Sequence, residues 1–149
     1  MIRSATSEDT PEILETWLQA SLLAHPFISS CFWRSRLNDM EQIYLPQAET
    51  YVCEQHDKVV GFISLVENHL AALFVLPMLQ GRGHGKQLLQ HAQSIRNELS
   101  LCVYSRNTRA LTFYRRSGFR EQHERRDCHT GEFERLMIWI REPEHILPE

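Results

Sequence analysis

The residues of this chain best suited to chemistry stand in one stretch, VLPMLQGRGHGKQLL, residues 75–89. Gly81, Gly83 and Gly85 alternate with Arg82 and His84, and Lys86 follows. Glycine admits φ > 0 and lets backbone come close to a ligand that a Cβ would hold away. Where such a run opens a helix, the first-turn N–H groups lack intrahelical partners and the aligned peptide dipoles place about half a positive charge there. Converging N–H groups suit a phosphate, or two linked phosphates, with Arg82 and Lys86 available for added positive charge.

Two nucleotide loops are excluded by spacing. A Walker loop needs glycine five residues before Gly85, where Gln80 stands, and a hydroxyl after Lys86, where Gln87 stands. A dinucleotide fingerprint needs G-x-G-x-x-G opening a βαβ unit, whereas this loop reads G-x-G-x-G after a run of strands. A ligand-free strand-to-helix turn is the bland alternative, and three glycines in five residues make it costly in chain entropy. A binder of some other nucleotide phosphate predicts that ATP or NAD competes at the loop.

The flanking pattern supplies the elements that hold the loop. A short edge strand over residues 1–5 precedes a helix that Ser7, Asp9 or Thr10 caps, with Pro11 in its first turn. Ile13, Leu14, Trp17, Leu18 and Leu22 give it one apolar face before His25-Pro26 ends it. A second helix is expected over residues 30–44, closing before Pro46. Strands over 50–54, 59–66 and 69–75 form an antiparallel meander. After the glycines, Leu88, Leu89, Ala92, Ile95 and Leu99 trace a helical stripe, followed by a strand over 101–104 and a helix over 108–116 stopped by Gly118. A hairpin over 119–126 and 134–141 closes the chain around His129-Thr130-Gly131. The order β-α-α-β-β-β-α-β-α-β-β predicts a mixed α/β fold, a mixed sheet with helices on its faces.

Composition sets the outer limits. With 149 residues, 42% hydrophobic and 23% charged, and with no repeat or linker, the chain is read as one domain over 1–149. A formal charge of −3 gives no general basic field for nucleic acid or an anionic membrane. Cys31, Cys53, Cys102 and Cys128 lack C-x-x-C spacing and read as reduced thiols, which with an N-terminus free of an apolar leader points to the cytoplasm. The eight histidines, His145 among them, show no metal-ligand spacing, so no metal is expected. Cys128-His129 is not read as a nucleophile pair, because neighbours on a strand point to opposite faces.

The chain resembles the GNAT superfamily of N-acetyltransferases. Their acetyl-CoA loop follows [RQ]-x-x-G-x-[GA] after a V-x-P-like strand end, matched by Val75-Leu76-Pro77 and Gln80 through Gly85. A second family segment, N-x-x-A-x-x-F-Y-x-x-x-G-F, is matched by Asn107, Ala110, Phe113, Tyr114, Gly118 and Phe119. The resemblance implies a central mixed, splayed sheet of about seven strands flanked by four helices. It implies that the backbone of Gly81, Arg82, Gly83, His84, Gly85 and Lys86 holds the pyrophosphate of acetyl-CoA, with Arg82 and His84 as outward spacers. The strand at Leu73, Phe74 and Val75 would then pair with the pantetheine arm, in a cleft opening between Phe74-Val75 and Cys102-Val103.

By the same resemblance, Asn107 holds the cofactor arm, a role compatible with capping the helix at Thr108. Tyr114 is the expected acid for the departing thiolate, against the bland role of a core aromatic beside Phe113. A backbone N–H near Val75 is the expected oxyanion donor. The family often carries a glutamate base on the meander strands, but residues 70–75 contain no acid. Glu67 and His25 are the nearest candidates, and a base acting only through water is the third. Trp17, Phe27, Phe32 and Trp33 either line an acceptor pocket or, for Trp17 above all, fill the core. The implied activity is direct acetyl transfer to a primary amine, on a small molecule, a protein lysine or a protein N-terminus, by a monomer or homodimer. The alternative is a non-catalytic acyl-CoA-binding module.

Overall fold

The computed structural model describes residues 1–142; His145 lies outside the described residues. Seven strands form one sheet in the order β1-β2-β3-β4-β5-β7-β6. They are β1 Ile2–Ser4, β2 Glu49–Gln55, β3 Lys58–Val66, β4 His69–Val75, β5 Glu98–Tyr104, β6 Arg120–Arg126 and β7 Phe133–Ile140. Neighbours are antiparallel except β4 and β5, which run parallel and share a single pair, His69 with Ser100. The mixed sheet expected from the strand pattern is therefore present, and so is the splay that the family resemblance implies, where the strands after His69 and Ser100 diverge.

Hydrophobic patterning accounts for the layers. β3 is buried from Val59 through Leu65, a continuous apolar run suited to a strand covered on both faces. β6, reading REQHERR, is exposed throughout, and a charged edge strand of this kind resists pairing with other chains. One core cluster, including Leu70, Leu88, Leu101, Leu111 and Met137, lies between the sheet and the helices α5 (His84–Ile95) and α6 (Thr108–Arg116). On the other face, Ile13, Trp17, Trp33, Val52 and Phe62 join the sheet to the helices α1 (Thr10–Ala24) and α2 (Ser30–Ser35).

Three local expectations are corrected. The helix expected over 30–44 is interrupted: α2 is followed by α3 (Leu37–Asp39), a π turn (Met40–Tyr44) and α4 (Leu45–Gln47). Pro46 does not stop it but sits in the first turn of α4, where no N–H is needed. Counted as one broken body, this segment makes four helical bodies with α1, α5 and α6. Leu99 leaves the helical stripe, because α5 ends at Ile95 and Leu99 is a buried residue of β5. Asp9 occupies the N-cap position of α1 without capping it. Its carboxylate instead takes Arg3 Nη1 and Nη2 at 2.8 and 2.9 Å and Thr6 N–H at 2.8 Å.

Gly118 ends α6 as expected, at φ +97°, with its N–H on Arg115 O and the next N–H on Tyr114 O. Among the described residues no helix is long and apolar enough to cross a membrane.

Candidate active site

Two features of β4 build the site. At Ser64 and Leu65 of β3 the register shifts by one, leaving Ala71 of β4 as a bulged residue between the pairs Leu65 with Leu70 and Ser64 with Ala72. A bulge inserts one residue and reverses which face the following side chains occupy. Leu70 and Leu73 accordingly both face the α5 side, and Ala72 and Phe74 face the α1 side. The second feature is the splay. Leu76 N–H donates to Val60 O of β3, so by alternation along the strand Val75 and Leu73 turn their backbone groups toward the gap before β5. Val75 O is taken by the Gln80 side chain at 3.0 Å.

The glycine loop follows directly. Gly81 and Gly83 hold φ of +80° and +91°, and a Cβ at either would meet nothing within 4 Å. Gly83 is the N-cap residue of α5, and no side chain caps the helix. Its first-turn N–H groups therefore face open space at the positive end of the helix dipole. Gln80 is the strut of the loop. Its Nε2 holds Val75 O, and its Oε1 accepts from Arg109 of α6 at 3.2 Å, bridging the cleft mouth.

Arg82 and Lys86 are exposed, Lys86 at the cleft. His84 departs from the expectation of an outward spacer: it is half-buried and its Nδ1 lies 3.4 Å from the Sγ of buried Cys53 on β2. The pair fastens the start of α5 to the sheet.

A cleft of about 710 Å³ runs from this loop along Leu73, Phe74 and Val75, and its opposite wall is Asn107 and the α6 residues through Tyr114; Cys102 and Val103, expected to form that wall, do not line it. Asn107 does cap α6, its Oδ1 accepting from Ala110 N–H at 3.2 Å. Its Nδ2 faces His25 Nε2 at 3.4 Å. Tyr114 is 7% exposed, packed between Phe113 and Phe119, and burial pushes its phenol above the ordinary value. It is a core aromatic and a wall of the cleft at once.

His25 is 6% exposed, stacked on Trp33 at 5.0 Å between centroids, and its Nδ1 has no hydrogen-bond partner among the described residues. Burial pulls its pKa down to about 4. A neutral ring already accepting from Asn107 is a poor proton acceptor, so the geometry fits His25 as a strut for Asn107. Glu67 stands in the β3–β4 turn at φ +55°, exposed, with Arg96 donating to its backbone O. This turn lies at the end of β4 opposite the loop, and the structure does not bring Glu67 to the cleft.

A second cavity, about 370 Å³, opens on the α1 side of the sheet, and Ala71 and Ala72 of β4, next in sequence to the cleft residues Leu73 to Val75, form part of its wall. Trp17, Phe32 and Trp33 line it; Phe27 does not, and instead meets His25 and Tyr104 edge to face. Tyr104 donates to Asp127 Oδ2 at 2.8 Å, and Thr130 Oγ1 and His129 N–H also reach that carboxylate. Burial leads, with Asp127 next, in pushing the Tyr104 phenol up. Against its own desolvation, the His129, Tyr104 and Thr130 donors hold the Asp127 carboxyl below its usual value.

His69 completes the far wall of this cavity. Tyr104, Asp127 and His69 were not picked out by sequence spacing. The usable signal was the strand alternation that sets Ser100, Cys102 and Tyr104 on one face of β5.

The sequence of residues 46–121 matches the model of the acetyltransferase (GNAT) domain. The chain is similar to the peptidyl-lysine N-acetyltransferase YiaC of Escherichia coli, at 38% identity over 141 residues that cover 94% of each protein. Among solved structures, apo YjaB of Escherichia coli shares the fold with a TM-score of 0.82 at 27% identity, over 95% of this chain and 98% of that one. PaiA N-acetyltransferase of Thermoplasma acidophilum, solved in complex with coenzyme A, reaches a TM-score of 0.80 at 20% identity, over 94% of this chain and 98% of that one. With the domain match spanning half the chain and a relative aligned along nearly all of it, this chain belongs to the GNAT family of N-acetyltransferases.

Proposed function

We propose that the chain transfers acetyl from acetyl-CoA directly to the side-chain amine of a peptidyl lysine, with donor and acceptor bound together. The observation that carries this reading is that consecutive residues of β4 line two cavities: Leu73, Phe74 and Val75 wall one, and Ala71 and Ala72 wall the other. A donor in the first and an amine in the second approach each other at the splay, which is the requirement for direct transfer. The peptidyl-lysine assignment follows the name of YiaC, aligned over 94% of both chains.

The residues present fit acetyl-CoA. Open first-turn N–H groups behind Gly81 and Gly83 suit the pyrophosphate, with Lys86 beside them. The unpaired β4 edge at Leu73 and Val75 suits an extended arm that hydrogen-bonds as a strand does. When bound, acetyl-CoA supplies an activated acyl group on a thiol leaving group. A backbone N–H near Val75 is the donor for the oxygen that gains charge, and the remaining groups of that edge pair with the arm. Tyr114 is the proton source for the departing sulfur. Its phenol stays protonated at neutral pH, and the low-dielectric surroundings that raise it raise a neighbouring thiol in the same direction.

Incubating the protein with acetyl-CoA and three acceptors tests the reading: a peptide with one internal lysine and a blocked N-terminus, its arginine counterpart, and free lysine. Mass spectrometry is expected to find acetylation on the lysine peptide above the other two. Equal or greater transfer to free lysine overturns the peptidyl assignment, and CoA binding without transfer to any acceptor favours a binding module.

A further inference from the structure

The transfer leaves one question open on the chain itself: which group takes the proton from an amine that arrives as ammonium, with pKa near 10.4. The protonable groups around the second cavity can be compared in turn. Asp127 accepts from three donors and is thereby stabilised as a carboxylate, a weak base. Tyr104 spends its O–H on Asp127. His129 stands in the β6–β7 turn, and its Nδ1 faces the Arg36 guanidinium at 3.4 Å. Glu134 of β7 is paired with Arg125 of β6 at 2.9 Å. His25 accepts from Asn107, and Glu67 lines neither cavity.

His69 remains. It lies on the α1-side face of β4, before the bulge, at the pair with Ser100 where β4 and β5 last touch before diverging. Its Nδ1 is 3.0 Å from Ser100 Oγ. In the tautomer whose Nδ1–H donates to that oxygen, the lone pair sits on Nε2, which has no protein partner among the described residues. A ring with one nitrogen anchored and the other open to the cavity is the arrangement a proton acceptor needs.

Resting on the reading of this chain as a peptidyl-lysine acetyltransferase, we infer that His69 is the proton acceptor for the lysine ammonium, directly or through one water. Nε2 takes one proton from the ammonium. The freed nitrogen lone pair forms the N–C bond to the acetyl carbon as the C–S bond breaks, and Tyr114 gives its proton to sulfur. The second nitrogen proton, released as the amide forms, returns through water to the Tyr114 oxygen, and His69 passes its own to solvent. One proton is released per transfer.

The surroundings are consistent with this role. Burial, then Arg125, lower the His69 pKa below the ordinary imidazole value, and Glu134 opposes them. The ring is exposed on its outer side, the direction of the shift favours its neutral form, and Arg36, Ser64, Tyr104, Asp127 and His129 are among the polar residues that line the same cavity.

The test compares wild type, His69→Gln and His69→Glu with acetyl-CoA and the single-lysine peptide, across pH 5 to 9. His69→Gln is expected to lower kcat/KM at pH 7 by about 10² and to lose the acidic limb of the pH profile. His69→Glu is expected to recover much of the rate, and CoA affinity by calorimetry is expected to stay within about twofold in both. An unchanged profile in His69→Gln overturns the inference. So does an NMR titration of His69 in the wild type with a pKa above 7, which decides the matter should the glutamine variant fold poorly. Absence of transfer by the wild type to any lysine peptide instead overturns the functional reading, which keeps the two failures apart.

Discussion

Asn107 Nδ2 lies 3.4 Å from His25 Nε2, so the residue that closes α1 meets the residue that opens α6 across 82 positions of sequence. The amide of Asn107 is thereby oriented: one end donates toward the imidazole and the other accepts from Ala110 N–H. Asn107→Asp keeps the capping oxygen and removes the donor. A carboxylate beside Nε2 favours the charged imidazole, so the His25 pKa is expected to rise from about 4 toward its ordinary value, read by NMR titration. Asn107→Ala loses the cap as well and is expected to cost about 1 kcal/mol in chemical denaturation.

The same burial makes stability depend on pH in a defined window. The unfolded chain protonates His25 near 6.5, the folded one only at about 4. Between those values the unfolded state binds the extra proton, so stability is complete above pH 6.5 and falls as pH drops toward 4. The loss is on the order of 3 kcal/mol for the shift taken alone. Asp9, held down to about 2 chiefly by Arg3, acts in a different window: its contribution is present above 3.8 and lost as pH falls toward 2. Urea melts at pH 7, 5 and 4 are expected to show the first loss in wild type and not in His25→Phe.

Tyr114→Phe removes one oxygen from a residue that is otherwise packed on Phe113 and Phe119. The fold and CoA affinity are expected to persist, while kcat falls by about 10² or more, because general acid assistance is typically of that size. Unchanged turnover in the phenylalanine variant removes Tyr114 from the chemistry and leaves it a core aromatic.

The loop offers a contrast between backbone and side chain. At Gly83, φ +91° is strained for any L residue although the space is open, so Gly83→Ala is expected to cost about 1–2 kcal/mol and to weaken CoA binding at least tenfold. Arg82→Ala, at an exposed side chain, is expected to change the dissociation constant by less than about threefold at physiological salt. Calorimetry with CoA reads both.

Most of the sheet was legible because local patterning and turn chemistry agree with it. The apolar run from Val59 to Leu65, the turn at His56 and Asp57 and the stop at Gly118 are each decided by neighbours in sequence. The glycine loop was legible for the same reason. The second cavity was not, since His69, Tyr104 and Asp127 converge only through the pairing of β4 with β5 and the closure of the β6–β7 turn. The broken helix over 30–47 escaped because its apolar spacing fits an α-helix while the chain widens into a π turn to seat Met40, 7% exposed, in the core. Nothing in the loop's own sequence announces the contact of His84 with Cys53, 31 residues earlier.

The lone pairing of His69 with Ser100 makes this sheet two blades, four strands and three, stitched at one point. A pantetheine arm laid along Leu73 and Val75 would then act as mortar between the blades. Hydrogen exchange at those two amides is expected to slow on CoA binding, and the blades to unfold more nearly as one unit with ligand than without it. A donor substrate bound there would be, in that sense, an element of the fold that arrives late.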